Sequence, residues 1–173
     1  MSRFAETSAF ARDLLLEYGL IALFLILILE GAMLLYFAPS ESLVPAAIVL
    51  LASSTADYVA IILVAVVGAT IGQYALFLVA KRGGREYLLE KRWFRISEDK
   101  LDRFDGWFER WGILVIPVSN SMLFTRGMLT VPAGFAKMDD RTFIALSALG
   151  TLSFQTILAA LTLGILSFFG VGG

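Results

Sequence analysis

Three ionisable side chains stand inside strongly apolar stretches of this 173-residue chain: Glu30, Glu41 and Arg126. A charge at membrane depth is costly unless it faces protein or water, so such residues point to function before structure. A guanidinium can grip two oxygens of a phosphate at once, and Arg126 suits that task. Ser119, Asn120 and Ser121 precede it and offer neutral hydrogen-bond donors. Desolvation raises a carboxylate's pKa, which suits Glu30 and Glu41 as proton-binding or countercharge groups. Each has a plainer reading. Glu30 as a structural ion-pair partner of Arg126, Glu41 in an exposed turn at the outer interface, and the Ser119–Ser121 patch as a filler of broken helix ends all fit the same residues.

The elements that must position these side chains are interrupted by proline. All four prolines fall in two apolar segments, Pro39 and Pro45 in the first, Pro117 and Pro132 in the second. Paired, proline-broken apolar segments in two halves of a membrane protein mark a central site built from discontinuous helices. Residues 36–54 and 112–134 are each expected to form a re-entrant hairpin, because their halves are too short to span a bilayer.

Composition fixes the class. Hydrophobic residues make up 58% of the chain and mean hydropathy is +0.81, the profile of an integral all-α membrane protein in one domain, residues 1–173. A net charge of -1 argues against nucleic-acid binding through overall charge. With no cysteine and no histidine, disulfides, thiolate nucleophiles, imidazole metal ligands and Ser/His catalysis are excluded. No clustered acidic metal site is evident either. The chain therefore reads as a non-enzyme without catalytic residues, metal or cofactor.

Around the broken segments lie continuous ones. Residues 4–17 read as an amphipathic lead-in helix with Phe4, Phe10, Leu14 and Leu15 against lipid, and Glu6, Asp13 and Glu17 argue against a signal peptide. Gly19 to Ala38 is about long enough for a first span, and Asp57 to Lys81 for a second, with Gly68 and Gly72 as a close-contact face. Residues 81–111 hold most of the cations. The positive-inside rule makes them cytoplasmic, and Leu101, Phe104, Trp107, Phe108 and Trp111 recur at helical spacing as the underside of an interfacial helix. Trp93, Trp107 and Trp111 read as interface anchors. Phe143 to Phe169 makes a final tilted span. Pro45-Ala46-Ala47, Asp57 and Gly68 echo Pro132-Ala133-Gly134, Asp139 and Gly150, an internal repeat of the inverted kind.

These residues carry a resemblance. Glu30 followed by Pro39-Ser40-Glu41 and Pro45, then Gly68, Gly72 and Lys81-Arg82-Gly83-Gly84-Arg85, then Arg126, Ala133-Gly134, Met138, Phe143 and Gly150, resemble in order the motifs of the DedA family of membrane proteins, which includes VTT-domain lipid scramblases. The resemblance covers roughly Tyr18 to Gly164. The chain also departs from that pattern. Where the family usually has R-x-x-P-x-x-R, this chain has Asn120, Leu123 and Arg126; Gln73 occupies a position where many members carry an acid, and Phe77 one where many carry tyrosine. The resemblance implies a transporter in the cell membrane that moves a polyprenyl-phosphate carrier of the undecaprenyl or dolichyl type between leaflets, coupled in several members to protons or sodium. It leaves phospholipid scrambling and a non-transport assembly role as alternatives. The implied partner is a membrane lipid with a phosphate headgroup.

Overall fold

The computed structural model describes residues 2–35, 40–84, 98–122, 127 and 129–169. Among them all regular structure is helical: α1 (Ser2–Gly31), α2 (Ser40–Leu51), α3 (Thr55–Val79) prolonged by a π turn (Ala80–Gly84), α4 (Glu98–Ser121), α5 (Thr130–Phe135) and α6 (Asp140–Phe168). Arg126, Pro39, Trp93 and the cations Arg85, Lys91, Arg92 and Arg95 lie outside the described residues, as do the side chains of Phe4, Phe10, Leu14, Leu101, Phe104 and Trp107.

Among the described residues two segments, Thr55–Gly83 and Asp140–Phe168, are long and apolar enough to cross a membrane. At 1.5 Å per residue, 29 residues reach about 43 Å, more than the roughly 30 Å of hydrocarbon. Their apolar surface is turned outward. On α3, Val59, Leu63, Val67 and Ile71 are exposed at four-residue spacing, while Ile61, Ala65, Ala69, Gly72 and Phe77 are buried on the opposite face. On α6, Leu149, Leu152, Ile157, Leu161 and Ile165 are likewise exposed. Large aliphatic side chains facing out and small or polar ones facing in is the pattern expected where lipid is the solvent.

Glycines set the helix contacts. A Cβ on Gly72 would collide with the Ile28 carbonyl of α1 and one on Gly31 with the Ala69 carbonyl of α3, so these two helices touch backbone to backbone. Gly150 plays the same part between α6 and α4: a Cβ there would lie 2.7 Å from the Pro117 carbonyl oxygen. The expectation that Gly68 and Gly72 form a contact face is met on α1, where Gly68 faces the Phe24 carbonyl.

Both aspartates of the internal echo sit at helix starts, in different cap positions. Asp57 is the third residue of a capping box, accepting from the Ser54 amide at 2.8 Å while Ser54 Oγ accepts from the Asp57 amide. Asp139 is itself the N-cap of α6, accepting from the Thr142 amide at 3.0 Å. Two donations, from the Thr142 amide and hydroxyl, hold the Asp139 carboxyl below the ordinary aspartate range.

Two boundaries differ from the sequence expectation. The first apolar run, expected to continue as one span from Gly19 to Ala38, is helical only as far as Gly31. Gly19 breaks the helix with φ 55 and ψ -128, separating the lead-in from the apolar helix that runs on to Gly31. Beyond Gly31, Met33 turns left-handed (φ 57), and the Leu34 and Met33 amides donate to the Leu29 and Glu30 carbonyls, which closes the helix end. The second difference is at residue 112. The interfacial helix expected to end at 111 and the first part of the broken segment, as far as Ser121, are one helix, α4, with Gly112 leaving room for the Phe108 ring of the preceding turn instead of breaking the chain. Pro117 is carried inside that helix, as Pro45 is inside α2.

Candidate functional site

The site is a ring of three buried polar side chains from three helices. Asn120 stands near the end of α4, Gln73 in the second half of α3 and Ser147 two turns into α6, with exposures of 3%, 2% and 0%. Asn120 Nδ2 donates to Gln73 Oε1 at 3.2 Å and to Ser147 Oγ at 3.1 Å. Ser147 Oγ in turn donates to Gln73 Oε1. Each side chain thus contacts the other two, and no charge is involved.

The remaining acceptor of Asn120 reaches out of the ring. Its Oδ1 accepts the backbone N–H of Gly127 at 3.0 Å. Gly127 has φ 75, a conformation glycine adopts without strain, and a Cβ there would approach Met33 Cε at 3.6 Å and Gln73 Nε2 at 4.0 Å. Gly127, in the connection between α4 and α5, therefore meets the left-handed end of α1 and the middle of α3 at one point.

Local sequence explains why these groups converge. Gly31, next to Glu30, lets α1 approach within 3.1 Å, measured from its would-be Cβ, of the Gln73 backbone nitrogen. Gly150, one turn past Ser147, admits the Pro117–Asn120 turn of α4, the Asn120 Cβ lying 2.7 Å from the position its own Cβ would take. Small residues on α1 and α6 bring the backbones close enough for short polar side chains to bridge them.

Of the residues singled out in the sequence, Asn120 is at the centre. With two N–H groups donated to Gln73 and Ser147 and its carbonyl oxygen occupied, its hydrogen bonds are directed inward, and it acts on the Gly127 backbone. Ser121 donates to the Pro117 carbonyl of its own helix at 2.7 Å and lies 3.4 Å from the Gly150 carbonyl oxygen, while Ser119 is buried beside them. Glu30 is half-buried, with one carboxylate oxygen shielded, one residue from the Gly31 contact with α3. Glu41 is half-buried in the first turn of α2, and no hydrogen bond or ion pair of its carboxylate occurs among the described residues. Arg126, the residue before Gly127, is outside them.

Gln73 and Ser147 are not among the site residues expected from sequence. Gln73 carries one signal: it and Asn120 both stand where the chain departs from the DedA pattern it resembles, and they are hydrogen-bonded to each other across 47 residues of sequence. Ser147 carries none, since a lone serine in an apolar helix most often bonds its own backbone, as Ser153 does to the Leu149 carbonyl.

A second polar cluster closes one end of the same helix pair. Lys81 Nζ donates to Asp140 Oδ1 at 2.5 Å and to the Met138 carbonyl at 2.6 Å, and the Tyr74 hydroxyl donates to Asp140 Oδ2 at 2.9 Å. Phe77 and Phe143 stack beneath it with ring centroids 4.2 Å apart. Among the described residues no group of three or more acidic side chains has metal-binding geometry.

The VTT domain model matches residues 38–163. Among curated proteins the chain is 25% identical over 154 residues to undecaprenyl phosphate transporter A of Staphylococcus aureus, covering 85% of this chain and 75% of that one. It is 24% identical over 120 residues to undecaprenyl phosphate transporter A of Bacillus subtilis, covering 69% of this chain and 61% of the relative. It is also 24% identical over 140 residues to the uncharacterized membrane protein YbfM of B. subtilis, covering 80% and 85%. No solved structure matches. A family model that takes in the broken segment after Pro39, the whole of α3, the Asn120–Gln73–Ser147 ring and most of α6 identifies this membrane protein as a member of the VTT domain, or DedA, family.

Proposed function

We propose that this protein carries a polyprenyl-phosphate lipid between membrane leaflets, with Arg126 as the phosphate ligand. The observation that carries the proposal is the Gly127 amide held by Asn120 in a buried, uncharged ring. A neutral ring does not compete with a nearby guanidinium for an anion or neutralise it, and it anchors the residue that follows Arg126 in sequence. A lipid phosphate in hydrocarbon needs a cation that replaces water, and arginine supplies both charge and a bidentate fork. Two relatives are named as undecaprenyl phosphate transporters, which supports the same substrate class.

In this reading residues 36–54 and 112–134 are re-entrant, the second entered by the last turns of α4 and left by α5, and the two halves form an inverted repeat. The 12-residue α2 reaches about 18 Å and the six-residue α5 about 9 Å, both short of the hydrocarbon thickness. Glycine-to-backbone packing of α1 on α3 and of α4 on α6 is the symmetry such a repeat would produce. Glu30 and Glu41 act as proton-binding or countercharge groups as the phosphate enters and leaves. Ser119 and Ser121 line the approach, the 81–111 segment lies on the cytoplasmic side of the cell membrane, and transport proceeds without bond cleavage. Coupling is to protons or sodium.

Reconstitution into liposomes with either a polyprenyl-phosphate or an ordinary phospholipid reporter tests this. Leaflet exchange of the polyprenyl phosphate, faster than that of the phospholipid and dependent on an imposed proton or sodium gradient, is expected. Equal exchange of both lipids without any gradient would make the protein a scramblase instead.

A further inference from the structure

The contact between α3 and α6 runs on beyond the ring, and its next two turns are polar and unsatisfied. Thr151 and Gln155 are fully buried and Thr70 is 8% exposed. The hydroxyls of both threonines and both amide atoms of Gln155 are buried and have no hydrogen-bond partner among the described residues. Elsewhere in α6 the polar side chains solve this problem locally: Thr162 donates to the Leu158 carbonyl at 2.8 Å and Ser153 to that of Leu149 at 3.0 Å. Thr151 does not.

The helix register brings these groups together. Stepping back along α3 by four residues while stepping forward along α6 by three or four joins Lys81 to Asp140, Phe77 to Phe143 and Gln73 to Ser147. The next step sets Thr70 and Ala69 opposite Thr151, and the one after sets Val66 and Ala65 opposite Gln155. Ala65 and Ala69, on the α3 side of these two steps, are fully buried and small. Four stranded polar atoms would forfeit a large share of the stability of a domain this size, so a further group satisfies them.

The donor and acceptor inventory selects that group. Gln155 Nε2 needs an acceptor and Oε1 needs a donor, while the two hydroxyls can be either. A bare cation would suit the oxygens and leave the amide N–H groups facing positive charge. An oxyanion would suit the N–H and O–H groups and leave Oε1 facing negative charge. Water serves all four, and a buried water characteristically makes about three hydrogen bonds to otherwise unpaired groups. We infer that Thr70, Thr151 and Gln155 form an internal water site between α3 and α6, extending the Asn120–Gln73–Ser147 ring along α6 by about 12 Å, the rise from Ser147 to Gln155. Water held there gives the ring a hydrated route on the side away from Lys81 and Asp140. The inference stands apart from the transport proposal, since it rests on burial and register alone.

Water-edited solid-state NMR of the full chain in lipid bilayers tests it directly. Magnetisation from water should reach the Thr151 and Gln155 side chains as fast as it reaches Thr55 at the exposed start of α3, and much faster than the core residues Ile61 or Leu23. Build-up at Thr151 and Gln155 as slow as at Ile61 overturns the water site. Thr151→Val supplies an independent readout. With water present it breaks a satisfied network and lowers the unfolding temperature, and in a dry seam it removes an unpaired hydroxyl and raises it. A rise overturns the inference, and so does a sodium-for-choline gain in unfolding temperature that the parent shows and Thr151→Val loses, which would put a cation in the seam. Failed lipid transport with rapid water transfer intact would count against the transport reading only.

Discussion

Removing the Asn120 side chain's polarity while keeping its bulk, as Asn120→Leu does, strands a specific group. Gln73 Oε1 still accepts from Ser147, so the ring keeps one bond. The Gly127 amide loses its partner inside the protein, 3.0 Å away in the parent, and Gly127 is buried. An unsatisfied buried donor costs about 1–3 kcal/mol. At about 1.4 kcal/mol per factor of ten, that is roughly a fivefold to hundredfold fall in the docked population of the connection that carries Gly127. Gln73→Leu removes the acceptor shared by Asn120 and Ser147, and in the double variant those losses overlap. Thermal or denaturant unfolding in detergent, measured on both single variants and the double, should give a coupling energy of about 0.5–3 kcal/mol, as for residues in one network. Losses that add to within about 0.5 kcal/mol would mean that the two residues act independently, and the ring would not be the unit that holds Gly127. The charged version is sharper. Asn120→Arg alone buries an unpaired cation and should destabilise by about 3–5 kcal/mol, and adding Gln73→Glu should recover much of that loss. No recovery in the double variant would show that the two side chains do not face each other.

The packing carries other consequences. Gly72→Ala forces α1 and α3 apart at the Ile28 carbonyl and should destabilise by about 1–3 kcal/mol, lowering the unfolding temperature, whereas Gly83→Ala, with open space around it, should not. At Asp139 the carboxyl is held low by the Thr142 amide and hydroxyl, so its stabilising effect on the start of α6 is complete above the ordinary aspartate pKa of about 3.9 and is lost as pH falls through the lower folded value. Asp139→Asn keeps an oxygen for the cap and should flatten that acid limb in pH-dependent unfolding. Replacing Asp140 by Asn should weaken the junction of α3 and α6 at its Lys81 end while leaving the Asn120 ring intact, readable as faster amide exchange in Ala80–Gly84 alone.

How much of this is legible in sequence depends on the range of the interaction. The spans from Asp57 and from Phe143 are readable because apolar length decides them, and α3 and α6 begin and end within a few residues of that reading. The Gly68 and Gly72 contact is readable because two small residues one turn apart leave a gap that only another helix can fill. Helix ends are harder. Apolar character continues past Gly31 to Ala38, but the turn at Met33 is a backbone event stabilised by contact with α3 and Gly127, and nothing in the local composition announces it. Gly112 misleads in the opposite sense, since a glycine beside a broken segment reads as a boundary until the Phe108 ring is seen to occupy its space. Within the site, Asn120 is legible because an amide among apolar residues is conspicuous. Its partners are not, because Gln73 and Ser147 lie 47 and 27 residues away and only the crossing of three helices joins them.

In the proposed function Arg126 holds the phosphate of a lipid in transit. Leaflet exchange of a polyprenyl-phosphate reporter in proteoliposomes tests it most directly, with parent, Arg126→Lys and Arg126→Gln compared at equal insertion. Lysine keeps the charge and loses the planar fork, so exchange should be substantially impaired, and glutamine should nearly abolish it, with binding of the lipid falling in the same order. If both variants insert normally and move the phosphate lipid at the parental rate, Arg126 is not the headgroup ligand and the account of the site is wrong.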